Sequence, residues 1–341
     1  MAKRNITIIL SALVLFSAIR YRELIEYGIN QLRGQLSIVI NARAIDEALK
    51  DQKIPDSIKY KLALIQEIKK FAVDSLGIKE SKNYSTYYDQ QGKPSIWVIT
   101  ACKPFAMEAY EWSFPFLGSV SYKGFFEKEK GLPELEALRK KGYDVDYGTA
   151  SGWSTLGWFK DPVLSGMLRK KEGRIAELII HELTHGTLYL HGNVEYNENL
   201  ATFIGEEGAK QFIDSKFGEN SPQKIEYLAF QEDEKTFGDY MVFSCLRLDS
   251  LYKSIDKTVA KEVNYHKKFF FIKNIILNIN KLPLNNPERY RFTFPGDKLP
   301  NNSFFMSFKR YRKKQSDFQH ELSKFEGNIK LWLLHLRSEN N

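Results

Sequence analysis

Residues 174–190 of the chain read RIAELIIHELTHGTLYL. Apolar side chains recur there at three- and four-residue spacing, which is typical of an amphipathic helix with one buried face; they are Ile175, Leu178, Ile179 and Leu183. We therefore predict a helix over residues 173–190. His181 and His185 stand four residues apart within it, so their imidazoles lie on the same face, one turn apart.

This histidine pair has the spacing of a metal site. Two imidazoles one turn apart can reach a single ion at about 2.0–2.1 Å, and the glutamate after the first histidine can hold a metal-bound water. We predict one Zn²⁺ ion bound by His181 and His185, with Glu182 as the catalytic base. The competing interpretation is a helix whose two surface histidines make only local hydrogen bonds.

A third protein ligand has two candidates, and the first is His191. It follows His185 by six residues, as in the longer pattern His-Glu-x-x-His-x-x-Gly-x-x-His. That pattern needs a glycine where the chain turns sharply, and this sequence has Leu188 there. If the helix continues to Leu190, His191 projects roughly 120° away from His185 and misses the ion.

The second candidate is Glu198, at the start of another predicted helix. Gly192 and Asn193 provide a break between the two helices, so the second can return beside the first and aim Glu198 at the metal. Two histidines, one glutamate and a water are the ligands of a catalytic zinc rather than a structural one. Helix geometry thus favours Glu198 over His191.

The bulk properties fit a globular chain. With 341 residues and 43% hydrophobic content, it has ample material for a core. The net charge is +8, but its basic residues are interleaved with acids, so we predict no nucleic-acid partner. The basic run 309–314 falls on the solvent side of a predicted helix.

The chain has two cysteines, Cys102 and Cys245, which are too few for a four-cysteine zinc site. The sequence does not decide whether a disulfide bond joins them.

The N-terminal residues indicate the cellular location of the protein. Lys3 and Arg4 precede an uncharged, mostly apolar run over residues 6–19, which is typical of an export signal or a short anchor. We predict that residues 1–22 are a signal peptide or membrane anchor. The protein would then be extracytoplasmic in a bacterium, either periplasmic or anchored to the inner membrane.

Patterning along the rest of the chain predicts an α+β, predominantly helical fold, with a small β-sheet preceding the metal helix. Residues 23–341 form one predicted domain, whose C-terminal part from about 225 is mainly helical. The predicted helices include residues 23–50, 58–76 and 163–170 and a final helical hairpin, the predicted strands are residues 95–102, 118–126 and 143–150, and residues 282–302 are a predicted irregular loop.

Three stretches carry a family resemblance: TLGWFKDPVLS (155–165), HELTHGTLYLHG (181–192) and EYNENLATFIGEEG (195–208). They resemble a bacterial family of predicted zinc aminopeptidases, and weaker matches at 27–43, 112–126 and 299–311 extend the likeness over nearly the whole chain.

The resemblance implies a zincin-like body and a gluzincin-like ligand set, in which the Asn-Glu after the metal helix supplies the third ligand, here Glu198. Many family members are exported or lipid-anchored, but no cysteine follows the hydrophobic run here to accept a lipid. Gluzincins commonly place an Asp four residues after the ligand Glu, where this chain has Thr202.

Together these features predict a zinc-dependent peptidase acting on peptide substrates, an aminopeptidase by resemblance. The alternatives are an endopeptidase with the same mechanism or a membrane-tethered zinc-containing binding protein without turnover. Tyr122 and Tyr196 are candidate donors to the reaction's oxyanion. The strand over residues 118–126 is a candidate edge for an extended peptide. Glu206 and Glu207 lie near the site in sequence, but neither can be assigned to the substrate's α-ammonium group.

Overall fold

The computed structural model of the protein describes residues 20–114, 118–149, 160–256, 258–292, 299–310 and 315–339. Its helices are α1 (Arg22–Asn41), α2 (Ile45–Lys50), α3 (Asp56–Asp74), α4 (Lys128–Lys140), α5 (Glu172–His185), α6 (Val194–Phe217), α7 (Pro222–Lys253), α8 (Lys261–Ile279), α9 (Asn302–Met306), α10 (Gln315–Ser323) and α11 (Ile329–Glu339). Short 3₁₀ helices lie at Met167–Arg169, Pro287–Tyr290 and Ser307–Arg310. The fold is α+β and predominantly helical, as predicted.

The strands form three small sheets within these ranges. Their bounds are β1 (Arg43–Ala44), β2 (Thr86–Tyr88), β3 (Trp97–Cys102), β4 (Trp112–Phe114), β5 (Gly118–Val120), β6 (Lys123–Phe125), β7 (Asp144–Thr149) and β8 (Val163–Leu164). The sheet orders are β1-β2-β8, β6-β3-β7 and β4-β5. All pairs are antiparallel except β2 with β8. Every strand that the structure describes precedes α5 in the chain, which confirms the predicted β-structure before that helix.

Helices α5 and α6 form the centre of the largest core and pack closely along their lengths. Their apolar faces are fully buried at Ile175 and Ile179 on α5 and at Leu200 and Ile204 on α6. Because α6 returns along α5, a side chain near its start can reach the last turns of α5. Removing these faces from water stabilises the pair by about 1.5–3 kcal/mol for each fully buried large side chain.

The prediction that α5 continues to Leu190 is wrong, because the helix ends at His185. The side chain of Asn197 accepts from the Leu190 N–H and donates to the Leu190 carbonyl, both at 2.8 Å. A continuing helix would have used those backbone groups itself. Asn193 then caps α6 by accepting from the Tyr196 N–H.

Three other sequence predictions also need correction. Residues 163–170 are not a helix: β8 pairs in parallel with β2, and the 3₁₀ turn Met167–Arg169 follows. The single strand predicted over 118–126 is split between two sheets as β5 and β6. The helix predicted over 23–50 is interrupted where β1 pairs with β2. In each case pairing with another strand overrides local propensity.

Helix α3 and strands β3 and β7 agree with the predicted elements to within a few residues, and α10 and α11 supply the predicted final pair of helices. Both cysteines are free thiols, so no bridge links Cys102 to Cys245. The hydrophobic run over 6–19 and positions 311–314 of the basic run lie outside the described residues. Among the helices that the structure describes, none has the length and apolar character needed to cross a membrane.

Candidate metal centre

His181 and His185 project from the last two turns of α5 toward Glu198, in the second turn of α6. One possible ligand atom from each of the three residues lies within 4.8 Å of the others. The Nε2 atoms of His181 and His185 lie 3.6 and 3.4 Å from the two carboxylate oxygens of Glu198. The three side chains are therefore close enough to hold a metal ion.

The two imidazoles differ in what supports them. Thr202, one turn after Glu198 on α6, places its hydroxyl oxygen 3.5 Å from His181 Nδ1. This threonine stands where a gluzincin-like pattern has an Asp, so a neutral hydroxyl is the group nearest to that ring nitrogen. His185 Nδ1 is buried and has no hydrogen-bond partner among residues 20–339 as far as the structure describes them.

Glu182 lies beside the pair and is largely withdrawn from solvent. Burial raises the pKa of its carboxyl above the ordinary value, and the negative charges of Glu198 and Asp161 raise it further against the opposing effect of His181. A carboxylate with a raised pKa is a better proton acceptor near neutral pH. Its environment therefore suits a general base.

The candidate ligands shift one another's pKa values in opposite directions. The His181 imidazole lowers the pKa of the Glu198 carboxyl. Burial alone would lower the pKa of His181, but Glu198, Glu182 and Glu177 outweigh burial and leave it raised. Burial and the neighbouring His181 lower the pKa of His185, which favours a neutral ring with a free lone pair.

His191, the alternative ligand, is not part of the described metal-ligand cluster. It is exposed in the α5–α6 loop, where its ring lies 5.7 Å from that of Tyr189. Tyr122 is exposed between β5 and β6, and Tyr196 packs edge-on against Phe318 at 5.6 Å. Their proposed role as oxyanion donors stays a prediction.

The candidate peptide-binding edge on β6 is already engaged at its centre. The Gly124 carbonyl accepts from Tyr27 Oη at 3.0 Å and from Gln31 Nε2 at 2.8 Å, both on α1. Of the two acids considered for the substrate ammonium group, Glu207 is ion-paired with Lys210 at 2.7 Å. The Gly124 carbonyl and the Glu207 carboxylate, both candidates for binding substrate, therefore already have partners within the protein.

Sequence patterns missed Tyr84. This tyrosine is almost fully buried, has a left-handed φ of 58°, and donates its backbone N–H to the Asp161 carbonyl at 2.6 Å. Burial raises the pKa of its phenol well above the ordinary value, and the charges of Glu182 and Asp161 add to that effect. A bulky residue with positive φ marks backbone strain near the site, which no local sequence signal indicates.

The fold and the site together define a predominantly helical α+β protein with a candidate metal centre built from two neighbouring helices. The chain belongs to the family described as "Putative aminopeptidase", whose family model matches residues 26–338. This membership supports peptidase activity as the general class of function. No curated protein and no solved structure gave a significant match to the chain.

Proposed function

We propose that this protein is a zinc-dependent aminopeptidase in which His181, His185 and Glu198 bind one Zn²⁺ ion and Glu182 is the general base. The observation that carries the proposal is the convergence of the three ligand atoms within 4.8 Å of one another. Membership of the aminopeptidase family supports the substrate class, which is a peptide with a free N-terminus.

The spacing of the donors supports zinc. In a tetrahedral site with bonds of about 2.0–2.1 Å, neighbouring ligand atoms lie roughly 3.3–3.4 Å apart. The Nε2 atoms of His181 and His185 are 3.6 and 3.4 Å from the Glu198 oxygens, which is long for hydrogen bonds but close to that ligand spacing. Two nitrogens and one carboxylate are also the protein ligands of catalytic zinc sites that keep a position for water.

When bound, zinc lowers the pKa of a coordinated water toward about 7 and polarises a peptide carbonyl. Glu182 accepts the proton of the attacking water on its carboxylate and returns it to the departing amine. The buried surroundings that raise the pKa of Glu182 strengthen it as the acceptor. Glu198 is 40% exposed at its side chain, so the centre is open to solvent on the α6 side.

The test combines zinc analysis with cleavage of a peptide library by the wild type, Glu182→Gln and a matched control, Glu172→Gln. Glu172 lies in the first turn of the same helix, far from the metal ligands. We expect about one zinc per chain in all three proteins and loss of cleavage, by at least about 10²-fold, only in Glu182→Gln. Equal cleavage by the wild type and Glu182→Gln would remove Glu182 from the mechanism.

A second comparison tests the exopeptidase assignment. Hydrolysis of free peptides but not of their N-acetylated forms is expected of an aminopeptidase. Cleavage of both forms would identify an endopeptidase of the same chemistry. A zinc-loaded wild type that cleaves neither would instead indicate a zinc-containing binding protein.

For the location, we propose that residues 1–22 export the chain or anchor it to the inner membrane of a bacterium. The support is the basic start at Lys3 and Arg4 followed by the uncharged run over 6–19. Cell fractionation of the full chain tests this. Recovery in the cytosolic fraction would contradict it.

A further inference from the structure

The loop that follows the metal helix, residues 186–193, presents one aromatic ring beside a metal ligand. The ring of Tyr189 lies 6.3 Å from that of His185, edge-on at 69°, and 5.7 Å from the ring of His191. Tyr189 is 46% exposed, although both of its loop neighbours are turned inward. About half of the Tyr189 side chain is therefore accessible to solvent beside a candidate metal ligand.

The loop is held in place on both sides of Tyr189. Leu188 is buried, and Leu190 packs against the main core. The Thr187 hydroxyl donates to the Leu183 carbonyl and accepts from the Lys79 N–H, both at 3.0 Å. Asn197 bonds both backbone groups of Leu190 at 2.8 Å. These contacts fix the backbone around Tyr189, so its ring is presented at little entropic cost on binding.

A fixed, half-exposed aromatic ring next to a reacting centre favours an apolar partner. A substrate side chain that covers the ring removes apolar surface of both groups from water, and aromatic partners add an edge-to-face or stacked contact. A small or charged side chain gains little there.

We propose that Tyr189 forms the wall of a subsite that selects peptides with an aromatic or large aliphatic side chain next to the scissile bond. The inference rests on the proposed peptidase function and specifies its substrate class. Tyr189 acts on substrate choice, while metal binding remains with the three ligands on α5 and α6.

The experiment uses the zinc-loaded full chain and two peptide series, in which Phe, Leu, Ala or Lys occupies the position before or after the scissile bond. The variants are Tyr189→Ala, Tyr189→Phe and the control Tyr60→Ala. Tyr60 is 44% exposed and lies on α3 near Glu172, at the opposite end of α5 from the metal ligands. The readouts are kcat/KM and, independent of turnover, the Kd values of phenylalanine hydroxamate and alanine hydroxamate measured by calorimetry.

In one of the two series, we expect Tyr189→Ala to lower the ratio of kcat/KM for Phe to that for Ala by roughly threefold to tenfold. The ratio of the two hydroxamate Kd values should shift in the same sense. Tyr189→Phe and Tyr60→Ala should keep the wild-type ratios. Unchanged ratios in Tyr189→Ala, or an equal loss for all side chains, would overturn the inference while leaving the peptidase assignment intact. If the zinc-loaded wild type hydrolyses no peptide, the proposed function itself fails, and the hydroxamate ratios then still decide whether Tyr189 selects side chains.

Discussion

Gly205 of α6 lies directly against His181 of α5. A Cβ atom at Gly205 would stand 3.1 Å from the His181 Cβ and 2.9 Å from the Glu177 carbonyl oxygen. Both distances are shorter than ordinary van der Waals contact, so the two helices can approach this closely only with a glycine at position 205. The approach brings Glu198, two turns earlier on α6, within reach of both histidines.

We predict that Gly205→Ala destabilises the fold by about 1–3 kcal/mol, because the added methyl forces α6 away from α5. It should also weaken zinc binding, since Glu198 moves with its helix. The measurements are urea unfolding and zinc titration. Gly238→Ala is the control: this glycine lies within α7, and an added Cβ would meet nothing within 4 Å beyond its own stretch of helix backbone, so the change should stabilise by about 0.5–1 kcal/mol. Equal effects of the two substitutions would contradict the close approach.

Zinc removal should lower the melting temperature. An ion that binds only the folded chain stabilises it by about 2.7 kcal/mol at a free concentration of 100 times Kd. Glu198→Gln should lose most of this zinc-dependent shift, because it removes a charged ligand. His191→Gln should retain it, and loss of the shift there would restore His191 as a ligand. Differential scanning fluorimetry with zinc and with a chelator measures both.

Breaking the buried ion pair of Lys268 and Asp144 should be strongly destabilising. Lys268 on α8 and Asp144 on β7 are paired with little exposure, and Lys268 Nζ also donates to the Pro104 carbonyl at 2.8 Å. Lys268→Met leaves the Asp144 carboxylate buried without its cation, with only the Asn302 N–H still donating to it at 2.9 Å, so we expect a loss of about 3–5 kcal/mol. The exposed pair of Lys235 with Asp239 provides the control, and Lys235→Met should cost less than about 1 kcal/mol. Similar losses in urea unfolding would contradict the burial argument.

Stability should also depend on Glu134 at acidic pH. Partial burial of its carboxyl raises the pKa, but hydrogen bonds from Lys123 Nζ at 2.6 Å and Trp112 Nε1 at 2.9 Å outweigh burial and leave the pKa lowered. Because the folded pKa lies below the unfolded one, this contribution is complete above about pH 4.5 and is lost as the pH falls through the folded value. The difference in unfolding free energy between the wild type and Glu134→Gln should therefore shrink below pH 4.5. A difference that stays constant across that range would disprove the linkage.

Several elements were predictable because their signals are local. Helix α3 and the strands β3 and β7 follow from apolar periodicity and β-branched content alone. The end of α5 was not predictable, since it depends on a side chain, Asn197, that lies beyond the loop. The division of residues 118–126 between two sheets likewise depends on partners that local propensity does not specify.

For the site, the sequence alone predicts the two histidines and the glutamate between them, because the period of a single helix fixes their relative positions. The sequence also favours Glu198 over His191, but that argument assumes a helix ending at Leu190, five residues beyond the actual end of α5 at His185. Three other features of the site are visible only in the folded chain: the approach of α6 to α5 at Gly205, the hydroxyl of Thr202 beside His181, and the exposed ring of Tyr189. Those features arise from contacts between segments distant along the chain, and the free energy of such contacts depends on packing that no short stretch of sequence encodes.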